Sequence, residues 1–234
     1  MPGNGTKTVA FLLYPGLTPL DMIGPLQLLN GLGMADPSFQ VTVVGERVEA
    51  MDADVPVRLI PENTFDQVPD PYILVVPGGG MGTLKAMGNQ AIRDYVQAAA
   101  ETAHTVASVC TGALILGAAG LLEGRKATTH WAYARFLERL GAQYLPQRWV
   151  QDGKFLCSAG VSAGIDMALY LGAKLTNEQL ARQAQLFIEY DPQPPFGGID
   201  WTKVDRDMML PMLTQNVRDA LADNPDLLAR LISA

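Results

Sequence analysis

Cysteine and histidine are scarce in this 234-residue sequence: Cys110, Cys157, His104 and His130 are all it has. Two cysteines do not make a disulfide scaffold. Two histidines, with no HExxH pair and no paired-cysteine spacing, give no reason to expect a metal site. Lys and Arg total 17 against 24 Asp and Glu, a net charge of −7 with no basic cluster. That balance argues against nucleic acid or an anionic membrane as a partner. No apolar run approaches the ~20 residues that span a bilayer. The first residues, Met1-Pro2-Gly3-Asn4-Gly5, lack the basic and apolar regions of a signal peptide, so a cytoplasmic location is expected. Internal repeats and low-complexity tracts are missing too.

What is present is a globular composition, 48% hydrophobic with Gly and Pro spread throughout. The length suits one domain over residues 1–234 with a helical extension at about 205–234. The chain centres on residues 105–120, TVASVCTGALILGAAG. Residues 105–109 are small, β-branched and uncharged, which suits a strand buried on both faces of a parallel sheet. An apolar helix at 113–119 follows and ends on a glycine. The turn between them places Cys110 at the carboxyl end of the sheet, where open α/β folds build their sites. This is a nucleophile elbow with Cys in place of Ser. A helix start lowers a thiol's pKa, so Cys110 is expected to ionise readily. A cysteine at such a turn can also be plain core filling.

Elsewhere the pattern alternates strands with helices. Residues 8–14 (TVAFLLY) read as a first buried strand, and a helix is expected from the LDMIGP segment to about Leu32. Asp21, at the start of that helix, admits two readings. It is an ordinary dipole-stabilised aspartate, or a carboxyl in apolar company that keeps its proton at neutral pH. Strands are expected at 39–44 and 72–76, with a hairpin or sheet extension between 47 and 61. The glycines at 78–80 and 82 form a turn after the 72–76 strand, with backbone N–H groups free to face a site. There is no GK[ST] and no acid at Rossmann spacing, so an oxyanion hole fits better than a phosphate loop.

A helix at 90–101, a strand at 125–130 and a helix at 132–140 follow. Short strands at 143–145, 149–151 and 154–157 come next, the last two joined by Asp152-Gly153. Cys157 reads as inert core. An apolar helix spans 162–173, and Thr176-Asn177-Glu178-Gln179 is a capping-box start for another. Residues 190–198 (YDPQPPFGG) are a structureless wrap of the kind found at surfaces and subunit contacts.

The segments SVCTGA, PGGG, LDMIGP and TTHW together resemble the ThiJ/PfpI superfamily, with its class I glutamine-amidotransferase-like fold. The likeness covers roughly residues 9–196. It implies a flavodoxin-like, doubly wound, mostly parallel sheet carrying the cysteine elbow. Within the superfamily, the runs SVCTGALILGAAGLLEGRKATTHWAY, AGVSAGIDMAL and LFIEYDPQPPF are similar to the enzymes that hydrate isocyanides to N-substituted formamides. SVCTG and TTHWAY also occur in the sensor domains of AraC-type regulators; LDMIGP and the short C-terminal stretch favour the hydrating branch.

The resemblance implies that Cys110 is the nucleophile, Asp21 its acid partner, and Thr111 a donor of a backbone N–H and a hydroxyl beside the sulfur. Gly78 and Gly79 would be backbone donors from the facing loop. It further implies a homodimer and a small uncharged organic substrate, with neither cofactor nor metal. Met22, Ile23, Trp131, Tyr133 and Val161 are candidates for an apolar pocket, Val161 replacing a bulkier aliphatic. The superfamily's proteases carry His directly after the cysteine; Thr111 stands there instead, which speaks against peptidase activity. His130 has a counterpart in relatives and reads as structural. Two other functions remain open: a cofactor-free glyoxalase or deglycase, and a non-enzymatic small-molecule or redox sensor.

Overall fold

Ile-Leu-Val-Val at 73–76 and Thr-Val-Ala-Ser-Val at 105–109 have no polar face to turn to water, and both are buried at every position. Strands of this kind need cover on both sides. The structure, a computed structural model, describes residues 5–232 and supplies that cover.

Strand β1 (Lys7–Leu12) leads into α1 (Pro19–Leu29) and the single turn α2 (Leu32–Ala35), then β2 (Phe39–Gly45). A small antiparallel ribbon of β3 (Met51–Asp52) and β4 (Arg58–Leu59) precedes β5 (Asn63–Thr64). Next come β6 (Ile73–Val76), α3 (Gly80–Gly88), α4 (Gln90–Thr102), β7 (Thr105–Val109) and α5 (Gly112–Ala118). They are followed by β8 (Lys126–Ala127), α6 (Ala134–Arg139), β9 (Gln143–Tyr144) and the hairpin β10 (Trp149–Asp152) and β11 (Phe155–Ser158). Helices α7 (Ala163–Leu175), α8 (Glu178–Phe187), α9 (Leu210–Ala220) and α10 (Pro225–Ile232) complete the order.

The main sheet runs β10-β11-β7-β6-β1-β2-β5, parallel except for the β10–β11 hairpin. Its central strands β2-β1-β6-β7-β11, numbered among themselves, follow the flavodoxin-like order 2-1-3-4-5. The expected doubly wound α/β fold is therefore the observed one. The chain reverses direction across the sheet between β1 and β6, which opens a crevice at their carboxyl ends. Helices α1 and α7 pack on each other, and α3, α4 and α5 form a second group. At the C-terminal end, α9 packs on α3 and α10 on α6, burying Leu213, Val217 and Leu231 in the same core as the strands.

Several local expectations need correction. Helix α3 begins within the glycine turn, where no helix was expected, because Gly80, Gly82 and Gly88 mask its pattern. Gly82 is required there, since a Cβ would lie 2.2 Å from the Gly16 carbonyl oxygen. Helix α1 stops at Leu29 rather than near Leu32. The 125–130 strand shrinks to Lys126–Ala127 because the Thr-Thr-His that follows bends into the site. The cap of α8 is Asn177, whose side chain accepts from the Leu180 N–H; the Thr176 hydroxyl donates back to Gly172 instead.

Candidate active site

Strand β7 ends at Val109 and α5 starts at Gly112, so Cys110 and Thr111 alone make the turn. Cys110 takes a φ of +55°, a left-handed conformation costing about 1–3 kcal/mol for a non-glycine residue. Neighbouring groups hold it there. Its N–H donates to the Ala159 carbonyl at 2.9 Å, and its own carbonyl accepts from the Thr129 hydroxyl at 2.8 Å. Gly112 lets the turn press on β6, for a Cβ would sit 2.0 Å from the Val76 oxygen.

Asp21 lies in the first turn of α1 with no exposed surface. Its Oδ2 accepts the Gly78 N–H at 3.0 Å, while the buried Oδ1 has no hydrogen-bond partner among the described residues. The Cys110 thiol neighbours this carboxyl closely enough for each group to shift the other's pKa. Burial raises Asp21 from 3.8 to about 7, against hydrogen bonds from Cys110 and Gly78 that hold it down and with a smaller push from the Asp54 charge. Of the two readings open for this residue, the desolvated carboxyl is the one the structure contains.

Cys110 departs from expectation. Burial pushes its thiol well above the ordinary value, and the Asp21 charge pushes the same way, while the Thr111 and Val161 N–H groups pull it down. The helix-start effect loses because α5 has only seven residues and the sulfur is almost fully desolvated. Thiol and carboxyl thus behave as a pair that gives up a single proton near neutrality and keeps the second to high pH.

A chain of hydroxyls backs the pair. The Tyr14 hydroxyl donates to the Pro77 carbonyl at 2.8 Å and lies 2.9 Å from Thr83 Oγ1, which is 2.8 Å from Thr111 Oγ1. Because Tyr14 spends its proton on Pro77, Thr83 donates to Tyr14 and Thr111 donates to Thr83. The Gly79 N–H completes the chain by donating to Thr111 Oγ1 at 3.0 Å.

This wiring corrects two expectations. Gly78 and Gly79 are not free oxyanion donors, since their N–H groups are committed to Asp21 and Thr111. The Thr111 hydroxyl points away into Thr83, leaving only its backbone N–H for the sulfur. Gly78 is needed for another reason: a Cβ would lie 2.6 Å from the Thr111 nitrogen and 2.7 Å from Asp21 Oδ2.

Beside the pair lies a cavity of about 440 Å³. Trp131 and Val161 line it as expected, and so does Leu20, which was not foreseen. Met22 and Ile23 do not. Successive helix residues turn by 100°, so with Asp21 facing the sulfur, Met22 is 2% exposed in the core and Ile23 is 42% exposed to solvent. Tyr133 is absent from the lining; its hydroxyl stands near enough to the sulfur for the Cys110 charge to raise its pKa. His130 lines the cavity, and its Nδ1 accepts from the Ala132 N–H, capping the turn at Trp131–Tyr133. Burial lowers its pKa below the ordinary imidazole value. Cys157 is buried away from these groups, its thiol pushed up to about 11. Tyr14, Thr83, Thr129 and the Val161 amide are site groups that sequence reasoning missed. Among the described residues no cluster of three or more His, Cys, Asp and Glu could hold a metal ion, and no helix is long and apolar enough to cross a membrane.

Known proteins are similar to this chain. An isonitrile hydratase of Pseudomonas putida, isonitrile being another word for isocyanide, is 41% identical over 189 residues, covering 80% of each chain. A deglycase of Thermococcus kodakarensis is 29% identical over 155 residues, 64% of this chain and 88% of the deglycase. Among solved structures, a ThiJ/PfpI family protein from Pseudomonas syringae superposes with a TM-score of 0.84 at 34% identity, over 93% of this chain and 90% of that one. The DJ-1/PfpI family pattern matches residues 7–174. The chain belongs to the DJ-1/PfpI family.

Proposed function

We propose that this protein is an isocyanide hydratase, a cysteine-dependent hydro-lyase that adds water to R–N≡C and releases R–NH–CHO. One observation carries the reading: a carboxyl with no exposed surface, raised to about 7 by burial, neighbours a buried thiol at the strand-to-helix turn. An isocyanide carbon accepts a soft nucleophile provided a proton reaches the same carbon, and such a pair supplies both. The name of the 41% identical relative supports it.

In the singly ionised pair, the proton passes from the Cys110 thiol to Asp21 as substrate arrives. The thiolate forms a bond to the isocyanide carbon, Asp21 gives that carbon its proton, and a thioimidate, R–N=CH–S–Cys110, results. Ionised Asp21 then takes a proton from water as hydroxide adds to the carbon, and passes that proton to nitrogen. Breaking of the C–S bond returns the thiolate, Asp21 takes the hydroxyl proton, and the formamide leaves. Reactants and products balance as one isocyanide and one water. The N–H groups of Thr111 and Val161 hold the sulfur's charge in the first and last steps. The Gly78 N–H keeps Asp21 in place.

A second reading, deglycase or glyoxalase chemistry on a carbonyl, draws on the same thiol and on the deglycase relative. Parallel incubation with phenyl isocyanide and with methylglyoxal separates the two. Formamide from the isocyanide, lost in Cys110→Ala, supports hydration; consumption of methylglyoxal alone replaces it. We also propose that the chain pairs with a second copy in the cytoplasm. Leu186, Phe187 and Phe196 are 76%, 84% and 98% exposed, an apolar surface suited to a partner. Both cysteines are free thiols, as a reducing compartment allows.

A further inference from the structure

The charges lining the cavity beside Cys110 do not balance. Two guanidinium groups border it, Arg148 and Arg206, and no carboxylate does. Arg148 is neutralised within the fold: it is paired with Asp166 and donates to the Ser162 hydroxyl at 3.3 Å. Arg206 forms no salt bridge among the described residues; its guanidinium lies over the Tyr144 ring, 5.6 Å from the centroid. It also borders a neighbouring crevice that contains Glu138 and Asp207. Asp207 is held there by Arg135, and among the described residues no salt bridge joins Glu138 to Arg206. A guanidinium held near a ring face by cation–π attraction keeps N–H groups free for a planar anion.

Leu20, Trp131, Ile199 and Trp201 give the cavity apolar and aromatic walls, among neutral polar groups such as Gln147 and Ser162. Neither Cys110 nor Asp21 lines the cavity, but Thr129 and Ala159 bond the Cys110 backbone and the Val161 N–H acts on its sulfur. One end therefore adjoins the reactive turn, the walls suit a ring, and Arg206 is a cation with no salt bridge among the described residues. In a chain of net charge −7 such a cation opposes the general repulsion of anions.

We infer that the substrate carries an anionic group, a carboxylate or its like, on an apolar or aromatic frame, and that Arg206 is the residue that selects it. The inference rests on the hydratase reading and replaces the uncharged substrate expected from sequence. Arg206 acts by binding the far end of the substrate while the isocyano carbon meets Cys110.

The test compares 4-isocyanobenzoate with its methyl ester, which keeps the frame and removes the charge. The natural enzyme should show a kcat/KM about tenfold higher for the carboxylate, the scale of a charge-assisted contact. Arg206→Met should bring the ratio of the two substrates close to one, and Arg206→Lys should restore part of it. An ester used as well as the carboxylate, or a preference that survives Arg206→Met, overturns the inference. Binding of 4-formamidobenzoate and its methyl ester, followed by tryptophan fluorescence, gives a readout without turnover. No turnover of either isocyanide, with tighter Arg206-dependent binding of the carboxylate, sinks the hydratase reading and keeps the anion site. Turnover of both isocyanides at equal rates, with equal binding of both formamides, does the reverse.

Discussion

The Asp21 carboxyl accepts the Gly78 N–H at 3.0 Å and neighbours the Cys110 thiol closely enough to shift its pKa, so one buried acid both anchors the glycine loop and acts on the sulfur. That double duty makes its proton the controlling variable of the site, and two consequences can be measured, with a third prediction for the hydroxyl chain behind it.

The rate should follow the pair's first ionisation. Below it, thiol and carboxyl both hold protons and there is no thiolate to attack. With Asp21 raised to about 7, kcat/KM for an isocyanide should rise with pH through a midpoint near 7. It should level off above that, because the Cys110 thiol is pushed well above its ordinary value and the second proton stays. A pH-rate profile from 5 to 9 checks this. A flat profile, or a midpoint near 4, goes against the shared proton.

Stability should move the other way. Below about 4 the Asp21 carboxyl is protonated in both folded and unfolded chains. Above that the unfolded chain ionises while the folded one stays protonated up to about 7, so stability falls across the window from 3.8 to about 7. The full fall from this group is roughly 4 kcal/mol. Asp21→Asn cannot ionise and should lose this contribution, so the variant gains on the natural protein as pH rises from 4 to 8. Urea melts at the two ends show it; parallel curves for the two proteins would not fit.

The hydroxyl chain should act as a unit. Thr83→Val leaves the Tyr14 oxygen without its donor and the Thr111 hydroxyl without its acceptor, both in buried surroundings. That costs about 1–3 kcal/mol. Adding Thr111→Val removes one of the stranded groups, so the double variant should be more stable than the sum of the singles predicts, by about 1 kcal/mol. Strict additivity in denaturant melts would mean the three hydroxyls are not coupled.

How much of this was legible in the sequence differs residue by residue. The elbow at Cys110 was visible because a charge-free β-branched run followed by an apolar helix leaves few options for the turn between them. The β10–β11 hairpin was visible in Asp152-Gly153. Helix α3 was hidden by its own glycines, and with it Thr83, the middle of the hydroxyl chain. The glycine loop announced available N–H groups but not their partners, and both turned out to be taken. Met22 and Ile23 failed as pocket residues because the rotational phase of α1 is fixed by tertiary packing, not by the neighbouring Asp21. The Cys110 pKa ran opposite to expectation for a similar reason. A helix start is local and readable, whereas the burial that outweighs it comes from segments far along the chain.

The most direct measurement is the mass of the protein itself, quenched in acid within milliseconds of mixing with excess phenyl isocyanide. The account predicts a transient gain equal to the mass of the intact isocyanide, located on the peptide that carries Cys110, decaying as the formamide appears. Formamide accumulating while Cys110 stays unmodified, with Cys110→Ala keeping pace, would contradict it.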